Sequence, residues 1–195
     1  MQRSASRRFG KDPRVGDSNK FLNRESAAPA VPAELSREHR VDGIVVMDLQ
    51  RQLANAFVLF NNYKRYHWQV FNPMFRDLHE LFDQLANEVI ATIDPFAERV
   101  RAIRPDPLAD PVEWRNIATI SVSMPHTSLR HMLEEADENV LIVIGEMRLA
   151  MFTADQHGDP ATVDLFARFV QMHEKHEWWL RDMLKRADGL ELIPA

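Results

Sequence analysis

Apolar residues recur at three- and four-residue intervals over four long stretches of this chain, and a breaker closes each stretch. The first spans roughly 35–70, with Val46, Leu49, Leu53, Ala56, Phe57, Phe60 and Tyr63 on one face, and Asn72-Pro73 ends it. The second spans roughly 74–103 through Leu78, Leu81, Phe82, Leu85 and Val89 and stops before Pro105. Residues 105–126 carry four prolines and a short helical candidate around Trp114, which makes a long crossover. Thr127 or Ser128 caps a third helix reaching about Ala154. The turn His157-Gly158-Asp159-Pro160 leads into a fourth, about 161–187, closed by Gly189. Val140 to Ile144 is rich in β-branched residues, yet it sits inside the helical series Leu133, Ala136, Val140, Val143, Met147, Ala150. The pattern predicts an all-α four-helix bundle of two antiparallel pairs, with a short extra helix in the central crossover.

Residues 1–33 mix Arg, Ser, Ala, Pro and Gly without periodicity and read as a mobile tail ahead of a bundle domain over 34–195. The first 40 residues carry nine basic and five acidic side chains, a formal +4, which leaves −9 on the remainder of a chain whose total is −5. A basic arm is thus attached to an acidic body. The chain has no cysteine, which excludes disulfides, thiolate metal sites and cysteine nucleophiles and is compatible with a reducing cytosol. No apolar run approaches the roughly 20 residues needed to span a membrane. The arginines near the start are not followed by an apolar core, so a secretory signal is not expected and the expected location is cytoplasmic.

The chemistry concentrates in residues 67–99, where imidazoles and carboxylates alternate along the second helix. Imidazole and carboxylate together suit iron or another borderline metal. His79 and Asp83 stand four residues apart, as do Asp94 and Glu98, so each pair shares a helix face. Asp83 and Asp94 face the same way because eleven residues make nearly three turns, but at 1.5 Å per residue they lie about 16 Å apart. They cannot share one ion within a chain. An antiparallel copy of the helix across a two-fold axis brings Asp94 and Glu98 opposite His79 and Asp83, giving two equivalent sites. His67 joins them if the Asn72-Pro73 turn folds the first helix back beside the second. Pro95 is the test of this geometry: a sharp break there, with Asp94 capping a new helix, undoes the distance argument, and a local kink leaves it standing.

These residues carry a family resemblance. His67-Trp68, Leu78-His79, Phe82-Asp83 and Asp94-Pro95-Phe96-Ala97-Glu98-Arg99 stand at the intervals of the Dps family of miniferritins, which the body over about 40–188 resembles. Asn72, where the family commonly has glycine, and Pro95 are the departures. The resemblance implies a ferritin-like four-helix bundle, twelve subunits forming a hollow shell, and a ferroxidase site shared between subunits. It assigns His67, His79 and Asp83 from one subunit and Asp94 and Glu98 from its neighbour as ligands. The implied activity is oxidation of Fe(II) by hydrogen peroxide, or more slowly oxygen, with storage of Fe(III) as mineral in the cavity and protection against oxidative damage. By the same resemblance Asp155, Asp159 and Asp164 are candidate pore acids for iron entry, the alternative being capping, especially for Asp159 before Pro160. Trp68 is a candidate radical-intercepting residue. Trp68 and Trp178 otherwise read most simply as core.

Two other functions fit some of the sequence. The basic arm is a candidate for contacting DNA phosphates, where repetition on a shell adds avidity and would associate the protein with the nucleoid. Histidine also suits zinc, so the five ligands alone admit a shell holding zinc rather than iron. No histidine has a glutamate three residues before it, which counts against an intrasubunit di-iron centre. The string His173-Glu174-Lys175-His176-Glu177 is not an HExxH motif, and with His126 and His131 it reads first as a polar helix face, the alternative being a weak surface metal site on His173 and Glu177, four residues apart.

Overall fold

The computed structural model describes residues 43–71, 73–125 and 128–185. All of them lie in the larger of two units, residues 40–195. The expected tail, residues 35–42 of the first helix, Asn72, His126, Thr127 and the closing Gly189 lie outside the described residues. Within them the chain forms five helices and no strand: α1 (Gly43–Gln69), α2 (Phe75–Ala102), α3 (Pro111–Ile117), α4 (Leu129–Gln156) and α5 (Pro160–Leu184).

The 3.6-residue period explains what each helix buries. In α2 the inward residues are Leu78, Phe82, Leu85, Ala86, Val89, Thr92, Phe96 and Val100. α2 runs through Pro95 without interruption. Proline removes only the bond to the carbonyl of Ala91, and Ala91 is exposed, so water can satisfy that oxygen. The β-branched run Val140–Ile144 is helical within α4, as its place in the longer series requires. Ser128 caps α4 by accepting from the His131 N–H, and Gly158, at φ +67°, turns the chain out of it.

α1 and α2 pair antiparallel, as do α4 and α5. The two pairs close on a core in which Tyr63, Tyr66, Phe82, Phe96 and Phe166 are fully buried. The crossover between α2 and α4 runs along α1 and is held by amide side chains that bind its backbone. Gln50 binds the Asp106 carbonyl (2.7 Å) and the Leu108 N–H (2.9 Å). Asn55 accepts from the Thr119 N–H (2.9 Å), and Asn62 binds the Ser121 carbonyl (2.9 Å) and the Ser123 N–H (2.8 Å). Trp114 of α3 stacks on Phe57 at 3.6 Å between ring centres. A long connection whose only regular element among the described residues is α3 is thereby kept in one path, and α2 is left with an open outer face.

Candidate metal centre

His67 ends α1, and His79 lies on the second turn of α2. The intervening turn stacks their rings at 3.6 Å. Each Nδ1 lies beside the other residue's backbone carbonyl, His67 Nδ1 at 2.7 Å from His79 O and His79 Nδ1 at 2.8 Å from His67 O. A carbonyl only accepts, so both Nδ1 atoms carry a proton, and in the neutral ring that leaves the lone pair on Nε2. This reciprocal arrangement fixes tautomer and ring orientation, as is usual behind metal-binding histidines.

Asp83 follows one turn beyond His79. Its Oδ1 accepts from Lys64 Nζ at 2.7 Å, and Asn87 Nδ2 lies 3.3 Å from Oδ2. The Lys64 hydrogen bond is the main cause that holds the Asp83 carboxyl below its ordinary pKa. Lys64, three residues before His67 on α1, was not singled out in the sequence. Its position one turn before a candidate ligand is the signal that could have found it.

Asp94 and Glu98 are exposed on the same helix and line an open cleft with Ala97, Arg101 and Pro107. Because α2 is continuous, the separation of about 16 Å between Asp83 and Asp94 stands. The structure therefore stacks His67 on His79, with Asp83 one turn further along α2, and leaves Asp94 and Glu98 as a separate pair. Among the described residues no three His, Asp or Glu side chains of the single chain form a metal cage. Between the two half-sites the outer face of α2 exposes Asn87, Ile90 and Ala91, with Ile90 45% accessible.

The remaining candidates separate in space. Asp159 is only 1% exposed, caps α5 and is bound by Arg99 and by the Thr162 hydroxyl (2.6 Å). Burial works to raise its pKa, but the hydrogen bonds from Arg99 and Thr162 outweigh burial and hold the carboxyl low. Of the three acids considered for a pore, it has the capping role and faces no solvent. Asp155 and Asp164 are exposed, Asp164 beside Arg168 at 3.3 Å. Trp68 and Trp178, expected in the core, are instead 70% and 50% exposed. Trp68 lies two residues from buried Tyr66 and Val70, and Trp178 two residues from buried His176 and Leu180; helical residues two apart point about 200° apart, so both indoles face outward. His131 is exposed. His173 and His176, read first as part of a polar face, point inward and are buried, while Glu177 pairs with Arg181.

Residues 47–190 match the family Ferritin, described as a ferritin-like domain. The "DNA protection during starvation protein" of Brevibacillus brevis is 32% identical over 145 residues, covering 74% of this chain and 97% of that protein. The X-ray structure of Dps from Thermosynechococcus elongatus superposes with a TM-score of 0.74 at 42% identity, covering 76% of this chain and 95% of that one. A Dps protein from Vibrio cholerae, described as a member of a broad superfamily of ferritin-like diiron-carboxylate proteins, superposes with a TM-score of 0.70 at 25% identity. It covers 73% of this chain and 89% of its own. The helical bundle and the family match over residues 47–190 make this a ferritin-like protein. More narrowly, the chain belongs to the Dps family. No helix among the described residues is long and apolar enough to cross a membrane.

Proposed function

We propose that this protein is a ferroxidase and iron store whose active site is completed by a second subunit. The observation that carries this reading is the pair of half-sites on one face of a continuous α2, about 16 Å apart. Pairing two copies antiparallel about a point midway between them sets His67, His79 and Asp83 of one chain opposite Asp94 and Glu98 of the other, twice per dimer. The exposed Ile90 and Ala91 lie at the centre of the joined faces, where an isologous interface needs small or apolar residues.

Fe(II) is the substrate. The locked Nε2 atoms orient it, and three carboxylates favour Fe(III) over Fe(II) by their charge. Two Fe(II) give two electrons to one H2O2, which is reduced to two hydroxide ions. Hydrolysis of Fe(III) then deposits oxyhydroxide in a shell of, as the family implies, twelve subunits. Exposed Asp155 and Asp164 are candidates for attracting the incoming cation, and Trp68, next to His67, for intercepting stray radicals.

The test is anaerobic Fe(II) oxidation after adding hydrogen peroxide, comparing wild type with Asp94→Ala/Glu98→Ala. Fast oxidation in the wild type and its loss in the variant is the expected result. Oxidation no faster than buffer in both refutes the ferroxidase reading and leaves another metal, zinc first, as the occupant.

A second reading rests on the basic arm, whose +4 over residues 1–40 parallels the naming of several relatives for DNA protection. Deleting residues 1–33 is expected to abolish a salt-sensitive DNA gel shift, and a shift that persists refutes the arm's role.

A further inference from the structure

His173 and His176 lie inside the bundle, away from the centre described above, at 2% and 0% exposure. They are three residues apart on α5 and meet edge to face, with ring centroids 5.5 Å apart and planes at 86°. The Nδ1 of each is buried and has no hydrogen-bond partner among the described residues. Tyr63 of α1, whose ring centroid is 6.3 Å from that of His176, is fully buried, and its hydroxyl is likewise without a partner. An orphaned buried polar atom is costly, and such atoms are rare in native proteins. Three of them on neighbouring side chains call for a ligand.

The other side of His176 indicates which ligand. Its Nε2 lies 3.0 Å from Glu88 Oε2 of α2, and that carboxylate is also held by Lys175 Nζ at 2.7 Å and by Gln84 Nε2 at 2.9 Å. Burial alone would raise the Glu88 pKa. The bonds from Lys175, His176 and Gln84 outweigh it and bring the carboxyl down to about 2, so Glu88 is an anion that accepts the Nε2–H of His176. A carboxylate taking one ring proton while the opposite nitrogen stays open is the support usually found behind a metal-binding imidazole. Burial drives His173 down to about 3, so it too is neutral with a lone pair available. The spacing also fits. With a metal–nitrogen bond of about 2.1 Å, two imidazoles on one tetrahedral ion have ring centroids about 5 Å apart. In helical bundles, metal sites are built from inward side chains of facing helices.

We propose that His173 and His176 hold a second divalent transition ion inside each subunit, with Glu88 supporting His176 and the Tyr63 hydroxyl or water completing the coordination. Imidazole nitrogen without thiolate suits zinc and its neighbours rather than magnesium or calcium. This site is independent of the inter-subunit ferroxidase reading, since it shares no residue with that centre. Its role is to tie α5 to α1 and α2 from within one chain.

Zinc alone is the probe. Crystals of the unmodified protein soaked in zinc are expected to show an anomalous peak between the two rings, within bonding distance of both Nδ1 atoms. Cobalt(II) titrated into the unmodified protein is expected to give a tetrahedral d–d band that His173→Leu weakens by one ion per chain, while peroxide-driven Fe(II) oxidation is unchanged. A zinc peak only at the inter-subunit position, or water between the rings, overturns the proposal. Should His173→Leu fail to fold, the crystals of the unmodified protein decide alone.

Discussion

Lys64 is bound to Asp83, a proposed metal ligand, so replacing it makes a quantitative test of the proposed first half-site. The ammonium sits 2.7 Å from Asp83 Oδ1, with the lysine side chain 23% and the aspartate 43% exposed. A metal bound through Asp83 displaces this ion pair. At such exposure the pair is worth about 0.2–1 kcal/mol. Residual repulsion between the ammonium and a divalent ion a few ångströms away, screened by nearby water, adds about 1 kcal/mol. Lys64→Met removes both penalties and keeps the apolar stem, so affinity for Zn(II) or Co(II) is expected to rise by about 5–30-fold, matching about 1–2 kcal/mol. Lys64→Arg keeps the charge and should stay near wild type. The assay is a competition titration against a chromophoric chelator at fixed ionic strength. Unchanged or weaker binding in Lys64→Met refutes the competition argument and makes Lys64 a support that stays bonded to Asp83 in the loaded site.

Asp159→Asn keeps the α5 cap but leaves the Arg99 charge without its buried partner. It is expected to cost about 3 kcal/mol, and so to lower Tm by about 6–12 °C in calorimetry; a change under a few degrees contradicts the buried pair. Because the folded pKa of Asp159 lies below its ordinary 3.8, its contribution is fully present above that value and lost as the pH falls through the folded pKa. The stability gap between wild type and Asp159→Asn should therefore narrow below about pH 4, and a gap constant with pH refutes the assignment. Asn62→Ala strips the buried Ser123 N–H of its acceptor and should cost about 2 kcal/mol in denaturant unfolding. Unchanged stability would show that the crossover is held by other contacts.

The proposed metal centre is readable in the sequence because its candidate ligands are tied to the helix period. His79, Asp83, Asp94 and Glu98 recur at intervals of four and eleven, so once α2 proved continuous their common face followed. Pro95 hid this continuity, since sequence cannot say whether the carbonyl it frees will find water. Lys64 was missed because a lysine on an amphipathic helix has many destinations, and only the angle between α1 and α2 selects Asp83. The inward turn of His173 and His176 was hidden for a related reason. In Met172-His173-Glu174-Lys175-His176-Glu177 polar residues outnumber apolar ones, and the face is decided by Glu88 on another helix. Trp68 and Trp178 are expected in the core, whereas the inward direction belongs to Tyr66 and Val70 in one case and to His176 and Leu180 in the other, each two residues away. The clamps from Gln50, Asn55 and Asn62 link residues more than fifty positions apart, which no local pattern records.

Whether the site is shared between chains can be tested by mixing. His79→Ala/Asp83→Ala lacks one half-site and Asp94→Ala/Glu98→Ala lacks the other, so each alone should oxidise Fe(II) with peroxide no faster than buffer. After the two are dissociated, mixed in equal amounts and reassembled, half of the dimers pair one of each. Every such dimer carries one intact site and one empty one, so about a quarter of the wild-type activity should return. No recovery in a mixture that has demonstrably reassembled, or full activity in either variant alone, contradicts a ferroxidase centre built from two subunits.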